Sequence, residues 1–153
     1  MASFLPASHP HWGDRLLMAL SAFLGAAGVT LAAAEAHIAP GSGLQSAAYL
    51  SLVSAPACLA LLACGASGLL TRGNARGLSF ALWFGCVMFS ASLSAKILGP
   101  LIPAQNASQD TSKVIINAIA HIPMLAPIGG SVMIVVWILI GLLALRPVPR
   151  SSS

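Results

Sequence analysis

The sequence predicts an all-α protein, a polytopic membrane protein whose four transmembrane helices form a compact antiparallel bundle. Charged residues make up only 7% of the 153 residues and hydrophobic residues 58%, whereas soluble globular domains carry about 25% charged residues. Four stretches are almost free of charge: residues 16–34, 47–70, 78–98 and 127–145. Each is long enough to cross a hydrocarbon layer of about 30 Å at about 1.5 Å per helical residue.

The first span has two interpretations. Arg15, the apolar run after it and the small residues around Ala34 resemble a cleavable secretory signal. The run from Leu16 to Ala34 is nevertheless longer than the roughly 7 to 15 residues of a signal core. We therefore expect the mature protein to retain this span. A single domain would then cover residues 15–146, between tails at 1–14 and 147–153.

Small residues at every fourth position predict where the first three helices pack. Helix association in lipid depends on close approach, because lipid tails are as apolar as leucine and the hydrophobic effect cannot drive it. Segments rich in alanine also produce such rows by chance. The rows are Ala22, Ala26, Thr30 and Ala34 on the first span, Ala60, Cys64 and Gly68 on the second, and Cys86, Ser90 and Ser94 on the third. Within the second span, Pro56 removes a backbone donor and predicts a kink.

The fourth span opens with helix-starting and close-packing residues. Pro127 suits the first turn of a helix, and Gly129 and Gly130 allow another backbone to approach closely. The preceding segment, residues 99–124, contains an apolar run at Val114–Ile122 that is too short to span a membrane. We expect this segment to lie at the membrane interface or to re-enter against the bundle.

The basic residues predict that both termini are cytoplasmic, because lysine and arginine are retained on that side. With four crossings, five basic residues share the side of the termini and two lie on the other side. The five are Arg15, Arg72, Arg76, Arg146 and Arg150, and the two are Lys96 and Lys113. If the source is bacterial, the membrane is the plasma (inner) membrane.

Polar residues at the ends of the spans are candidate functional groups, because ionisable residues near lipid are costly. Glu35 and Lys96 end the first and third spans on the same side, and we expect them to form an interfacial ion pair. Alternatively, Glu35 and His37 belong to a proton or cation path, since histidine titrates near neutral pH. Neither residue lies at mid-membrane depth, which weakens that alternative.

No catalytic, cofactor or metal site is predicted, so we do not expect an enzyme. The cysteines Cys58, Cys64 and Cys86 lie in apolar spans without metal-ligand spacing, and we interpret them as small buried hydrophobes. The acidic residues are too few and too scattered for paired carboxylate chemistry. Basic residues at span ends, rather than on one soluble face, also argue against a nucleic-acid partner.

Two motifs carry a resemblance to a known family. Val87-Met88-Phe89-Ser90-Ala91-Ser92-Leu93 matches a third-helix pattern of the type V-L-F-S-G-S-L. Pro127, Gly129, Gly130 and Trp137 match a fourth helix that begins T-P-x-G-G and carries a tryptophan at this distance. From about Leu16 to Leu145 the chain resembles the domain of unknown function 423 family, the YgdD-like small four-helix membrane proteins.

The resemblance implies a fold and a membrane location, and it supplies no active site. Ala36 and His37 match the end of the family's first helix, while Glu35 stands where glycine is usual. The second helix keeps only Tyr49 of the family's aromatic and histidine pattern. Any role built on that histidine is therefore absent or displaced here.

Two classes of function fit these observations. The first is a structural or accessory protein that joins a larger membrane complex or a homo-oligomer through its small-residue faces, with the lipid bilayer as its surroundings. The second is a small transporter or channel for a proton, a cation or a small molecule. The position of Glu35 at the end of its span, rather than within it, favours the accessory class.

Overall fold

The computed structural model describes residues 11–98 and 125–145 of the chain. This part contains four helices and no strands. They are α1 (Trp12–His37), α2 (Leu44–Ala66), α3 (Arg72–Leu98) and α4 (Leu125–Ala144). All four are long and apolar enough to cross a membrane, which confirms the predicted all-α fold with four candidate spans. The interfacial or re-entrant segment predicted before the fourth span lies outside the described residues.

The helices differ from the predicted spans mainly at their ends. Helices α1 and α3 begin earlier than the predicted starts at residues 16 and 78. Their first turns carry charged residues, which an apolar-run criterion excludes but a helix at the membrane surface tolerates. Helix α2 ends at Ala66 rather than at residue 70, because Gly68 takes a positive φ of 81°. The amide of Leu70 then donates to the carbonyl oxygen of Cys64 at 3.2 Å and closes the helix end.

Short turns join the first three helices and make neighbours antiparallel. Gly41 and Gly43 have φ values of 74° and 89° in the turn between α1 and α2, a region of backbone conformation that favours glycine. At the start of α3, the amide of Asn74 donates to the hydroxyl of Thr71 at 3.3 Å, so that Thr71 caps the helix. Pro56 lies inside α2, which continues without interruption on both sides of it.

Helices that follow one another in sequence pack against one another, and α1 also contacts α3. Helix α4 packs almost entirely on α3. One apolar core nevertheless joins all four helices; its buried members are Leu24, Ala55, Cys58, Leu61, Leu78, Leu82, Cys86, Met133 and Val136. The bundle is thus a packed unit of α1, α2 and α3 with α4 attached to the outside of α3.

The helices are covered to very different extents. In the most apolar part of each helix, 39% of residues are buried in α2 and in α3, but only 22% in α1 and 17% in α4. Large apolar side chains form the outer face of α4, such as Ile134, Ile138 and Leu142. A face of this kind is suited to lipid or to another apolar helix.

An ion pair fixes α1 to α3 at the end of the bundle where both helices begin. The Nε and Nη2 groups of Arg76 donate to the two carboxylate oxygens of Asp14 at 2.5 and 2.8 Å. This two-pronged geometry holds the planar guanidinium more firmly than a single contact would. Both side chains are about two-thirds covered, with 32% and 27% of their surfaces exposed.

We predict a measurable coupling between Asp14 and Arg76. Arg76→Gln and Asp14→Asn should each lower the melting temperature of the protein in mild detergent, and the double variant should lose less than the sum of the two. Lys96→Gln, which removes an exposed cation from the same helix as Arg76, is the matched control and should change little. Strictly additive losses in the double-mutant cycle would contradict the pairing.

Candidate functional site

Helix α4 meets α3 at a pair of glycines. A methyl group on Gly129 would lie 2.7 Å from the carbonyl oxygen of Gly85 and 2.8 Å from the amide nitrogen of Phe89. A methyl group on Gly85 would in turn lie 3.0 Å from the carbonyl oxygen of Gly129. Such distances leave no room for a side chain at either position. The close approach predicted for the glycine pair of the fourth span therefore occurs at Gly129, whereas its partner Gly85 was not predicted.

The two other neighbouring helix pairs also meet at glycines. On α1, a methyl group at Gly28 would lie 2.9 Å from Cγ of Leu52 on α2. On α2, a methyl group at Gly65 would lie 2.6 Å from Cβ of Ala75 on α3. Each of these contacts brings two backbones closer than any larger residue would allow, as is common between helices in membranes.

Most members of the small-residue rows predicted for α1 and α2 lie away from the buried contacts, although Ala34 and Cys64 are half-buried. Ala22, Ala26 and Thr30 are exposed, as are Ala60 and Gly68. The buried residues of α1 are instead Leu17, Ser21, Leu24 and Gly28. An alanine-rich helix carries small residues on several faces at once, so four-residue spacing alone does not select the contact face.

The row predicted for α3 reaches a buried polar cluster. The hydroxyl of Ser90 lies 3.0 Å from that of Ser51 on α2 and 3.3 Å from the carbonyl oxygen of Ala47. The thiol of Cys86 lies 3.8 Å from the Ser51 hydroxyl. Ser51 also donates to the Ala47 carbonyl oxygen at 2.8 Å, so the cluster satisfies its own polar groups inside the core.

A second set of polar contacts lies nearer the arginine-bearing end of the bundle, which is the end where Asp14 pairs with Arg76. The hydroxyl of Ser79 donates to the carbonyl oxygen of Cys58 at 3.1 Å, and the Cys58 thiol donates to the carbonyl oxygen of Ser79 at 3.4 Å. The indole nitrogen of Trp83 donates to the carbonyl oxygen of Leu20 on α1 at 3.1 Å. These bonds link α3 to both of its neighbours in the three-helix unit.

The other residues of the two family motifs have different surroundings. Ser92 is buried, and its hydroxyl donates to the carbonyl oxygen of Met88 one turn earlier at 2.6 Å. Pro127 is exposed, and Trp137 keeps 45% of its surface exposed on the outer face of α4. A methyl group on Gly130 would lie 3.8 Å from the Phe89 ring, an ordinary contact distance. Among these motif positions, only Gly129 requires the absence of a side chain.

A groove of about 460 Å³ opens between α1, α2 and α3. It lies farther from the Asp14–Arg76 pair than the Trp83 contact does. Ser94, a half-buried residue of the predicted row, lines it together with Thr30, Ser51 and Ser90. The remaining walls are apolar. The groove is therefore an almost wholly apolar cleft that is open at the side, and its Ser51 and Ser90 hydroxyls are already bonded to each other.

The structure does not contain the predicted ion pair between Glu35 and Lys96. The carboxylate of Glu35 accepts a hydrogen bond from the Ser42 hydroxyl at 2.7 Å, and Lys96 is exposed. The ion pair that fixes α1 to α3 is instead that of Asp14 with Arg76. Glu35 serves the turn between α1 and α2 instead, because Ser42 follows it within that turn. His37 is the exposed last residue of α1.

The three cysteines are free thiols, with Cys58 and Cys86 buried and Cys64 half-buried. Within residues 11–98 and 125–145, no three histidine, cysteine or acidic side chains come together as a metal-binding group. The polar groups that the structure does bring together are hydroxyls and thiols between helices, together with charges at the helix ends.

Compared with known proteins, the chain matches no family model, no curated protein and no solved structure. Membership of the domain of unknown function 423 family therefore stays a prediction from its motifs.

We predict that Gly129→Ala destabilises the protein and that Gly130→Ala does not. The added methyl group at Gly129 overlaps backbone atoms of α3, and overpacking of this kind typically costs about 1–3 kcal/mol. The Gly130 variant, one residue away on the same helix, makes only an ordinary contact. Thermal unfolding in detergent provides the measurement. Equal melting temperatures for the two variants would show that the glycine contact does not hold α4 to α3.

Proposed function

We propose that this chain is a structural or accessory integral membrane protein, which contributes a helical surface to an assembly of membrane proteins and performs no reaction itself. The observation that carries the proposal is the set of hydrogen bonds that the buried hydroxyls make. The buried hydroxyls of Ser51, Ser79 and Ser90 bond to one another or to backbone carbonyls of neighbouring helices. They serve to hold helices together.

The distribution of charge supports the same role. In the described part of the chain, every Asp, Glu, Lys and Arg lies within a few residues of a helix end. A path for protons or cations requires ionisable or coordinating groups that continue through the middle of the membrane. The interior instead supplies hydroxyls and thiols, most of which are engaged in hydrogen bonds between or within helices, while the buried Ser54 hydroxyl has no hydrogen-bond partner in the described part of the chain.

The outer face of α4 is the surface that we propose for contact with other membrane proteins. It is the least covered of the four helices, and within the described part of the chain it packs almost entirely on α3. Trp137, with 45% of its surface exposed, lies on this face. Tryptophan is enriched at the energetic centres of protein interfaces.

Extraction in mild detergent tests this role. We expect the full chain to co-purify at fixed stoichiometry with another membrane protein or with further copies of itself. Ile138→Asn on the outer face of α4 should weaken that association, whereas Phe23→Asn, at an exposed apolar position of α1, should not. Purification of the chain as a monomer, with neither variant differing from the parent, would contradict the proposal.

A small transporter is the second candidate, and the open apolar groove between α1, α2 and α3 is the observation that favours it. Mostly apolar clefts with a few polar groups are typical sites for small molecules. Purified protein in liposomes distinguishes the two functions. Movement of a substrate that Ser94→Leu blocks would support transport, whereas stoichiometric assembly without transport supports the accessory role.

We further propose that both termini are cytoplasmic. The Asp14–Arg76 pair joins the beginning of α1 to the beginning of α3, so Arg15, Arg72 and Arg76 share one end of the bundle. Lys96 lies at the opposite end of α3. Retention of basic residues on the cytoplasmic side then orients the whole bundle.

We predict the labelling pattern of single cysteines placed in the two short turns. In intact cells, a membrane-impermeant maleimide should label Pro40→Cys, at an exposed position in the turn between α1 and α2. It should leave Leu69→Cys, at an exposed position in the turn between α2 and α3, unlabelled until the cells are permeabilised. The unchanged chain, with its three native cysteines, gives the background. The reverse pattern would invert the proposed orientation.

A further inference from the structure

A second pocket, of about 500 Å³, lies at the arginine-bearing end of the bundle between α1, α2 and α3. Its charged residues are Asp14, Arg72 and Arg76. Apolar side chains form most of the remaining wall, among them Met18, Leu59, Leu62 and Ala63. The pocket is therefore charged in one part and apolar in another. We name it the arginine pocket.

The two parts of the arginine pocket lie at different depths. Helices α1 and α3 begin here and α2 ends here, so Asp14, Arg72 and Arg76 occupy the first turns of their helices. Met18 lies four residues further along α1 than Asp14, and Leu59 lies seven residues before the end of α2. At about 1.5 Å per residue, these side chains start roughly 6 to 10 Å closer to the middle of the bundle.

The charged part favours an anion. Two arginines outnumber the single aspartate. Asp14 accepts hydrogen bonds from the Nε and Nη2 groups of Arg76 and thereby fixes the orientation of the guanidinium. The Nη1 group of Arg76 has no hydrogen bond to the described residues. The starts of α1 and α3 add the positive ends of two helix dipoles.

We propose that the arginine pocket binds an anionic phospholipid. The lipid phosphate accepts hydrogen bonds from the guanidinium groups of Arg72 and Arg76, and the upper part of an acyl chain lies against Met18, Leu59 and Leu62. A phospholipid carries its charge at headgroup depth and its acyl chains deeper, in the same order as the charged and apolar parts of the pocket. A free phosphate would need only the charged part. Basic pockets between transmembrane helices are a recurrent mode of anionic lipid recognition. The site is independent of the proposed accessory role.

Lipid addition to the purified full chain tests the site. Phosphatidylglycerol should raise the melting temperature in detergent and be retained in native mass spectra several-fold more than phosphatidylcholine with the same acyl chains. Arg72→Gln should remove most of that preference, and Arg72→Lys, which keeps the charge, should restore part of it. Arg15→Gln removes the same charge outside the pocket and should retain the preference.

The apolar wall has its own pair of variants. Ala63→Phe fills the pocket and should lower retention of phosphatidylglycerol, whereas Ala60→Phe, an exposed position one turn away outside the pocket, should not. The melting temperature of each variant without lipid reports whether it folds.

Three outcomes would overturn the proposal. Equal retention of the two lipids would show that the pocket does not select an anion. An equal loss of the phosphatidylglycerol preference in Arg15→Gln and Arg72→Gln would show that the preference comes from general surface charge and not from the pocket. Inorganic phosphate that stabilises the protein as well as phosphatidylglycerol does, with no effect of Ala63→Phe, would make the ligand a free phosphate rather than a lipid.

Discussion

Close approach between helix backbones is the constraint on which the rest of this bundle depends. Lipid tails compete for apolar surface as well as neighbouring helices do, so helices in a membrane gain little from apolar contact alone. Each neighbouring pair here meets where a side chain is missing, at Gly28, at Gly65 and at Gly85 with Gly129. Between α2 and α3 this backbone proximity is accompanied by hydroxyls that bond across the two helices, and these bonds favour one rotation of α2 relative to α3.

The sequence predicted the four spans well because an apolar run of this length has few other structures available to it. It predicted the contacts less well. Gly129 was recognisable beside Pro127 and Gly130, whereas the role of Gly85 depends on a residue of another helix that no local pattern reveals. Alanine-rich rows misplaced the contact face of α1, since small residues occupy several of its faces. The Arg76–Asp14 pair was not predicted either, because it joins positions 62 residues apart and no local pattern links them.

Polar groups divide between the interior and the ends of the bundle according to the cost of burying them. A hydroxyl loses little in the interior when it can bond to a carbonyl oxygen one turn earlier, as Ser51 does with Ala47. A guanidinium or carboxylate is far more costly there and stays where water and headgroups reach it. The arginine pocket and the proposed orientation both follow from this division, since the same arginines mark one end of the bundle and line the proposed lipid site.

Helix α4 is held differently from the others. The buried residues of α4, Gly129, Met133 and Val136, recur at intervals of four and three, so they form one stripe along one face. Interhelical hydrogen bonds, by contrast, link α1, α2 and α3. A helix attached along one stripe, with its opposite face broad and apolar, can exchange lipid for another helix on that face without disturbing the polar contacts of the core. In the proposed accessory role, the three-helix unit supplies stability and α4 supplies the surface for association.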